Sequence, residues 1–496
     1  MSATIDDSER VIVVGSGPAG AIAARELVRA GVPVTMLESG LRPPSGIIVR
    51  AAGQTLLRRR DGSDLLSRRH VAIGDRDTEW WSSLSPGGLS NYWTAAVPRF
   101  APADFDDGAR IDDRFRWPVS YDDLTPFYDV AEDLLSITGP ATSIPLVPGG
   151  RARYRRDVPS DWKRAFAGQH TDELTVLALA RGAKWMIARR GSEFNSYHVI
   201  VAPLLSNASF ELRVGAHVRR LATADDGSVI GVECTDRTSG QASVVRGRAV
   251  VLAAGTVDTT RILLSSTSSA WPDGVGNQHG LVGRYLHDHT REWWPVELDR
   301  PLTLLDHPLY LAREAHEDTE PLSGASATIG LATPRDRLQT FIGRAGKRFG
   351  VQVFGTMVPD EDHRVTLSPT RVDEFGNPVV QLDVAYDERT LRVLTRMKER
   401  FVEVFADVGI GATIEPVEWT PRPGSSVHFA GSVRMHDRPE SGVVDRWNRV
   451  HGVENVLVTD MSSFTTNPEK NPTLTAMALS ARAARHLAAD RSIAAR

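Results

Sequence analysis

The stretch of sequence that decides the fold is residues 11–40, VIVVGSGPAGAIAARELVRAGVPVTMLESG. It opens with a continuous apolar run, Val11–Val14, which is typical of a parallel strand buried on both faces. A glycine turn follows, then a helix over residues 21–30 that ends at Gly31, then a second apolar strand that finishes in Glu38. Strand, glycine turn, helix and second strand together predict a unit that binds a dinucleotide.

Each part of this unit has a physical task. Gly15 permits the tight turn, Gly17 lets a pyrophosphate approach the backbone, and Gly20 lets the helix pack closely on the strand. The N-terminus of the helix faces the phosphate charge. Glu38 can accept hydrogen bonds from the ribose hydroxyls of the adenosine, and an acid at this position favours FAD or NAD over NADP. Further cofactor-binding residues that we predict here are Pro18, Ala19 and Ser39.

The composition is ordinary for a soluble globular protein. The 496 residues carry a net charge of -4, which gives no electrostatic case for binding nucleic acid or an anionic membrane. Cys234 is the only cysteine, so an intramolecular disulfide is excluded and a reducing compartment is favoured. The sequence has no apolar run long enough to span a bilayer and no signal-peptide pattern in its first ten residues. We therefore expect a cytoplasmic protein of more than one domain.

Three segments outside the first unit are candidates for lining or covering a ligand site. Residues 87–94, GGLSNYWT, indicate backbone held close to a flat ligand, although a glycine turn before a core tryptophan would read the same. Residues 248–255 form an apolar strand that ends in Ala254-Gly255 and leads into a helix, a second place where backbone can approach a cofactor. Residues 139–161 are rich in Pro, Gly and Arg, and we interpret them as a candidate lid loop over the active site.

The pattern changes over residues 292–415, where strand-like pieces alternate with turns and a long helix covers residues 388–408. This alternation predicts a separate antiparallel sheet with a helix on it. Residues 121–137 predict a further amphipathic helix. His287 and His289 form a His-x-His pair, but no third ligand at usable spacing supports a metal site.

The C-terminal part is again dense in motifs. His428 lies in the segment SVHFAGS, and a short strand over residues 456–458 leads to Asp460. A final, alanine-rich helix follows, with Asn471 placed as its N-cap and Pro472 at its first position.

These motifs, in this order and at these separations, resemble the glucose-methanol-choline (GMC) family of FAD oxidoreductases. Within that family the chain most resembles the branch of pyranose 2-oxidases and bacterial glycoside 3-oxidases (C-glycoside oxidases). The resemblance is carried by residues 15–20, 87–100, 251–256, 283–289 and 428–476, whereas residues 140–203 and 301–352 match weakly.

The resemblance implies an α/β fold with two domains. A Rossmann-like FAD-binding domain would be assembled from the discontinuous segments 1–118, 203–291 and 416–496. A substrate-binding domain, an antiparallel sheet with helices, would comprise residues 119–202 and 292–415, with residues 139–161 as the candidate lid.

The resemblance also implies roles for single residues. His428 corresponds to the histidine that faces the flavin ring from the substrate side, and Asn471 to the asparagine or histidine before Pro-Thr; together they are the predicted catalytic pair. Thr94 corresponds to a threonine near flavin N5, and Asp460 to an acid near the phosphate and ribityl region. The other cofactor-binding residues that we predict are Gly87, Gly88, Ser90, Asn91, Tyr92, Trp93, Val218, Ala254, Gly255, Pro472 and Thr473.

Tyr92 departs from the pattern of the pyranose oxidases. Those enzymes carry a histidine before the tryptophan, and this histidine is bonded covalently to the flavin. The sequence has Tyr92 at that position, so we expect FAD to be held without a covalent bond.

The leading hypothesis is an FAD-dependent oxidase of a sugar or glycoside, C-glycosides included. It would oxidise a secondary ring hydroxyl, C3 rather than C2, to a ketone and reduce O2 to H2O2. The flavin takes the hydride, so the protein has to position the substrate and remove a proton. Histidine suits the second task because its unperturbed pKa is about 6.5, and a neighbouring amide can orient the hydroxyl without adding charge.

Other hypotheses remain open at this point. They are a dehydrogenase that passes electrons to a quinone or a protein, a GMC-type lyase whose flavin has no redox role, and a plain NAD-dependent dehydrogenase. The motifs far from the N-terminus count against the last. A serine hydrolase is excluded because no G-x-S-x-G motif is present. For the single residues, His428 as an ordinary core histidine and Asn471 as a helix cap alone also stay open.

Overall fold

The computed structural model describes residues 7–41, 69–73, 78, 80–180, 194–305, 307–313, 320–330, 345–417 and 420–490. Its helices are α1 (Pro18–Arg29), α2 (Tyr121–Leu135), α3 (Ser160–Ala165), α4 (Ala202–Leu204), α5 (Thr256–Ser265), α6 (Glu388–Asp407) and α7 (Thr473–Ala489). Its strands are β1 (Val11–Val14), β2 (Val34–Glu38), β3 (His70–Ala72), β4 (Thr138–Pro140), β5 (Tyr154–Arg156), β6 (Leu174–Val176), β7 (Phe210–Val214), β8 (Ala216–Thr223), β9 (Val229–Asp236), β10 (Ala242–Arg246), β11 (Ala249–Leu252), β12 (Thr290–Thr303), β13 (Leu309–Arg313), β14 (Ala325–Ile329), β15 (Ala345–Gly355), β16 (Arg364–Val372), β17 (Pro378–Asp383), β18 (Ala412–Ile414) and β19 (Val456–Val458). No described helix is long and apolar enough to cross a membrane.

A parallel sheet of five strands, in the order β19-β11-β1-β2-β7, forms the centre of the first core. Every residue of β1, β2, β11 and β19 is buried, as expected for parallel strands covered on both faces. Four separated stretches of chain supply these strands. This confirms the predicted Rossmann-like domain assembled from discontinuous segments.

The glycine turn between β1 and α1 is built as the sequence predicts. Gly15 has a φ of 98°, in the left-handed region, and a Cβ there would collide with the carbonyl oxygen of Ala253. A Cβ on Gly20 would collide with the carbonyl oxygen of Gly15. Only glycine at both positions therefore lets α1 begin so close to the strand ends.

The second sheet is antiparallel and has the order β18-β12-β15-β14-β13-β6. Helix α6 covers one of its faces, where Phe401 and Phe405 pack with Trp294 of β12 and Phe349 of β15 in a second core. The predicted antiparallel sheet with a long helix is confirmed, and α6 ends within one residue of the predicted boundary.

The described residues also form three smaller sheets. Strands β10, β9 and β8 form an antiparallel sheet, and β16, β17 and β3 form a mixed one. Strands β4 and β5 pair in parallel. Through β3 and β17, residues 70–72 pair in parallel with residues 380–382, which lie between β15 and β18 of the second sheet in the chain.

Helix α2 packs differently from the prediction. Its buried residues Leu124, Tyr128 and Leu135 belong to the same core as β1 and α7, and the hydroxyl oxygen of Tyr128 lies 2.8 Å from that of Thr475 in α7. The prediction placed all residues 119–202 in the substrate-binding domain, and this helix packs in the first core. An amphipathic pattern shows that one face is buried but does not show against which element, so the sequence could not place it. The other domain boundaries stay predictions.

Candidate active site

A cavity of about 410 Å³ lies between the two large sheets. Its first wall is formed where strands of the parallel sheet end: Gly15–Ala19 follow β1, Ala253–Asp258 follow β11, and Asp460–Met461 follow β19. The opposite wall includes Arg291, Gln352 and Phe354 from the antiparallel sheet. The carboxyl edge of a parallel sheet is where ligands bind in open α/β folds, and the volume is typical of a ligand site.

One end of this cavity fits a pyrophosphate. A Cβ on Gly17 or on Gly255 would meet no heavy atom within 4 Å, so both glycines border open space. Gly88 lies beside Gly17 and narrows the cavity without filling it. The N-terminus of α1 has no side-chain cap, so its N–H groups are available to an anion.

Two carboxylates tie together the loops around the cofactor end. Glu38 accepts hydrogen bonds from Ser16 N at 3.0 Å, Ser16 Oγ at 2.5 Å and Gly40 N at 2.6 Å. Asp460 accepts from Gly255 N at 3.0 Å and Thr259 Oγ1 at 2.5 Å, which joins the end of β19 to the start of α5. Burial raises the pKa of both carboxyl groups. Both line the cavity, as their predicted roles require.

Residues 87–94 form a tight turn against the glycines of the first unit. Gly88–Asn91 is a 3-10 turn, and Ser90 Oγ donates to the carbonyl oxygen of Gly87 at 2.6 Å. Asn91 turns away from the cavity and donates to Gly88 O at 2.8 Å.

Most of the predicted cofactor residues border the cavity. Those that line it are Gly15, Gly17, Pro18, Ala19, Glu38, Ser39, Gly88, Ser90, Tyr92, Trp93, Thr94, Val218, Ala254, Gly255, Asp460 and Thr473. Those that do not are Gly20, Gly87, Asn91 and Pro472. For Gly20 this agrees with its packing role, since it faces the strand turn and not the ligand.

His428 and Asn471 lie together in the cavity wall. Nε2 of His428 is 3.1 Å from Nδ2 of Asn471, and the ring of Phe354 packs 4.8 Å from the imidazole. Desolvation holds the pKa of His428 well below its ordinary value, and His289 and Arg291 add to this effect. The ring is therefore neutral near pH 7, which is the state a proton acceptor needs.

Asn471 is not the helix cap that the sequence predicted. Helix α7 begins at Thr473, Pro472 occupies the N-cap position, and no side chain caps the helix. The amide of Asn471 is turned toward His428 instead. The capping prediction was wrong because the pattern Asn-Pro-Thr fits a helix start equally well when the asparagine lies one residue outside it.

Sequence reasoning missed Asp288 and considered His289 only as a metal candidate. Asp288 accepts hydrogen bonds from Gly424 N at 2.9 Å, from Ser426 Oγ, and from the backbone N of His428 at 3.1 Å. Burial raises its pKa to about 6. Nδ1 of His289 lies 2.9 Å from Nδ1 of His428. The His-x-His pair directly before β12, with Asp288 between its two members, was the signal that the sequence contained.

Other lining residues were also missed. His217 follows the start of β8, and its Nδ1 lies 2.9 Å from Ser39 Oγ. Arg291 and Phe354 are directly opposite each other in the pairing of β12 with β15. Within the described ranges no group of three or more His, Cys, Asp or Glu side chains could hold a metal ion.

The candidate lid, residues 139–161, is anchored away from this cavity. Ile144, Leu146 and Val147 are buried in a small cluster with Leu177 and Tyr310. No residue of the segment lines the cavity. The lid hypothesis gains no support from this geometry.

Comparison with known proteins supports a cofactor site for FAD in this chain. The GMC oxidoreductase profiles match residues 171–291 and 359–480, and an FAD binding domain profile matches residues 8–53. The 6'''-hydroxyparomomycin C oxidase of Streptomyces lividus is 31% identical over 99% of this chain and 94% of that protein. The chain belongs to the GMC oxidoreductase family. This GMC oxidoreductase is an FAD enzyme, as the resemblance implied.

Further relatives and a solved structure match nearly the full length of the GMC oxidoreductase. Paromamine 6'-oxidase of Streptomyces fradiae is 29% identical over 97% of this chain and 91% of the relative. A C-glycoside 3-oxidase of Microbacterium trichothecenolyticum is 26% identical over 96% of each chain. In fold the chain is similar to pyridoxine 4-oxidase from Mesorbium loti, with a TM-score of 0.66 at 20% identity over 96% of this chain and 98% of that one.

Proposed function

We propose that this GMC oxidoreductase oxidises a hydroxyl group of a sugar or glycoside to a carbonyl group. The expected position is the C3 ring hydroxyl, and the expected electron acceptor is O2, which would leave as H2O2. The observation that carries the proposal is the His428–Asn471 pair, 3.1 Å apart in the wall of a cavity that also presents the FAD-binding turn. The relatives named for sugar and glycoside oxidations support the substrate class.

The geometry supports a separate role for each group in this reaction. Bound FAD supplies the hydride acceptor, the flavin N5. His428 takes the hydroxyl proton at Nε2, the ring atom that faces Asn471. The amide of Asn471 holds the same hydroxyl in line, and Phe354 restricts rotation of the imidazole by packing against it.

We also propose that FAD is held without a covalent bond. Tyr92 lines the cavity at the position where the resemblance expects the attached histidine. Precipitating the protein with acid should release all of its yellow colour into the supernatant. Colour that stays with the pellet would contradict this.

Oxidation of the primary hydroxyl at C6 is the second candidate. Two relatives, at 31% and 29% identity, are named for positions 6''' and 6', whereas the 3-oxidase is 26% identical. Analysis of the product by NMR distinguishes a ring ketone from an aldehyde.

The experiment is an anaerobic reduction of the flavin. Purified holoenzyme is mixed with free sugars, O-glycosides, C-glycosides, aminoglycosides and simple alcohols while the long-wavelength flavin band is followed. Bleaching by sugars or glycosides supports the proposal, and a second mix with O2 or a quinone identifies the acceptor. Bleaching by simple alcohols alone refutes the sugar class. No bleaching by any compound, with cleavage of one of them instead, would favour a lyase.

A matched variant tests the proton acceptor. His428→Ala should bind FAD normally and reduce it about 100- to 10,000-fold more slowly, because general base catalysis is lost. FAD content is read from the absorbance of the purified variant. A variant that keeps most of the wild-type reduction rate removes His428 from this role.

A further inference from the structure

We propose that His289 fixes the tautomer of His428 and thereby keeps Nε2 of His428 free to accept the substrate proton. His289 is a positioning residue, since it lies behind His428 and acts through it. This inference rests on the proposed role of His428 as the proton acceptor.

The hydrogen bonds around the two rings run in a single direction. Nε2 of His289 lies 3.3 Å from the carbonyl oxygen of Asn467, which can only accept, so Nε2 must carry the hydrogen. A neutral His289 then presents a lone pair at Nδ1. Nδ1 of His428, 2.9 Å away, must donate to that lone pair.

The position of the hydrogen on Nδ1 of His428 determines the state of Nε2, on the opposite side of the ring. With its hydrogen on Nδ1, a neutral His428 has a lone pair at Nε2. Without substrate, the amide Nδ2 of Asn471, 3.1 Å away, can donate to this lone pair, and a substrate hydroxyl that gives its proton to Nε2 takes the place of this bond. The opposite tautomer would place a hydrogen at Nε2, facing the amide hydrogens and the position where the substrate hydroxyl must give up its proton.

Both rings are held neutral, as the scheme requires. Burial lowers the pKa of His289 to about 3, and desolvation lowers the pKa of His428 well below its usual value. Arg291 also lowers the pKa of His428, and Lys470 that of His289. The carboxylate of Asp288 accepts hydrogen bonds from backbone N–H and hydroxyl groups. The titratable groups that face the pair are His287, Asp288, Arg291, Tyr386 and Lys470.

The arrangement also helps His428 after it has accepted the proton. The imidazolium carries hydrogens on both ring nitrogens, and its Nδ1–H bond to His289 becomes charge-assisted and stronger. The hydroxyl proton ends on Nε2 of His428, and the two electrons leave with the hydride. His289 itself gains and loses no proton in this step.

The direct test reads the tautomer without any substrate. Holoenzyme labelled with ¹⁵N-histidine gives ring nitrogen shifts that separate a protonated nitrogen from one with a lone pair, and His428→Ala assigns the His428 signals. The wild-type protein should show Nδ1 of His428 protonated and Nε2 unprotonated. The reverse assignment in the wild-type protein overturns the proposal, whatever the enzyme oxidises.

Variants extend the test to catalysis. His289→Leu removes the acceptor and should slow flavin reduction by the best sugar of the panel about 10- to 100-fold, with the half-saturating substrate concentration nearly unchanged. His289→Asn can present an amide oxygen to Nδ1 and should recover most of the rate and the wild-type shifts. A wild-type reduction rate in a folded, FAD-loaded His289→Leu also overturns the proposal.

His287→Leu is the matched control. His287 is equally buried and lies two residues away, but its Nδ1 donates to the carbonyl oxygen of Tyr285 at 2.8 Å and not to His428. It should leave the His428 shifts unchanged. If both leucine variants move these shifts alike, the effect is general loosening and the specific role of His289 fails. If no sugar reduces the flavin, the proposed function fails while the ¹⁵N result still decides the tautomer.

Discussion

At the scale of single residues, the position of His428 depends on an unusual backbone conformation directly before it. Val427, directly before His428, has a φ of 62°, in the left-handed region that a β-branched residue rarely adopts. Asp288 accepts hydrogen bonds from the two neighbours of Val427, namely from Ser426 Oγ and from the backbone N of His428. These bonds hold the strained turn, and the turn in turn sets where the imidazole lies.

Asn471→Ala separates catalysis from helix capping. We expect flavin reduction to slow about 100- to 1,000-fold, because a donor directed at the reacting hydroxyl is lost. The helix content should stay unchanged, since α7 starts at Thr473 without a cap from Asn471. Anaerobic stopped-flow absorbance and far-UV circular dichroism measure the two effects. An unchanged reduction rate together with lost helix would restore the capping role.

At the scale of elements, two glycines of the first turn have separable duties. Gly20→Ala should destabilise the fold by about 1–3 kcal/mol, because its Cβ would collide with the carbonyl oxygen of Gly15. Gly17→Ala is the matched control: its Cβ meets only open space, so the apoprotein should keep its melting temperature and bind FAD more weakly. Melting curves of the apoproteins and FAD titrations measure this. Equal melting temperatures for the two variants would contradict the assignment.

The sequence predicted where helices and strands form better than it predicted which other elements they pack against. Residues 11–40 predicted β1, α1 and β2 because buried strands, small-residue helices and glycine turns leave local patterns. The side of α2 that packs on α7 left no such pattern. Alternation along β12 likewise shows which residues share a face, but it does not show that Arg291 and not Trp294 borders the cavity.

Contacts within the candidate active site were hard to predict for the same reason. His428 and Asn471 were predicted by resemblance, and the cavity brings them together. The bond between His289 and His428 joins residues that are far apart in sequence, and the sequence offered only a His-x-His pair. Contacts of this kind are set by the assembled sheets, so no local spacing predicts them.

At the scale of the whole molecule, buried histidines make stability depend on pH. Burial lowers the pKa of four buried histidines, to about 4 for two of them and about 3 for the other two; they are His70, His287, His217 and His289. In the unfolded chain each titrates near pH 6.5, so below that pH the unfolded state binds more protons. Folding stability is therefore lost as the pH falls through about 6.5.

We expect the unfolding free energy of the holoenzyme to drop by about 2 kcal/mol between pH 7.5 and pH 6. The raised pKa of Asp288, about 6, acts in the opposite direction, because that carboxyl favours the folded state as it becomes protonated. It offsets only part of the loss in this window. Melting temperatures with excess FAD at the two pH values measure the difference. A melting temperature that is equal or higher at pH 6 would contradict the prediction.

The parallel sheet, in the order β19-β11-β1-β2-β7, is assembled from distant parts of the chain, and this has a consequence for the synthesis of the protein. Chains leave the ribosome from the N-terminus, so the glycine turn between β1 and α1 is made well before β19, His428 and Asn471. A chain interrupted between them therefore has the glycine turn but lacks the two residues that we propose for proton transfer. We therefore expect such a fragment to lack the proposed sugar oxidation even where its glycine turn is formed.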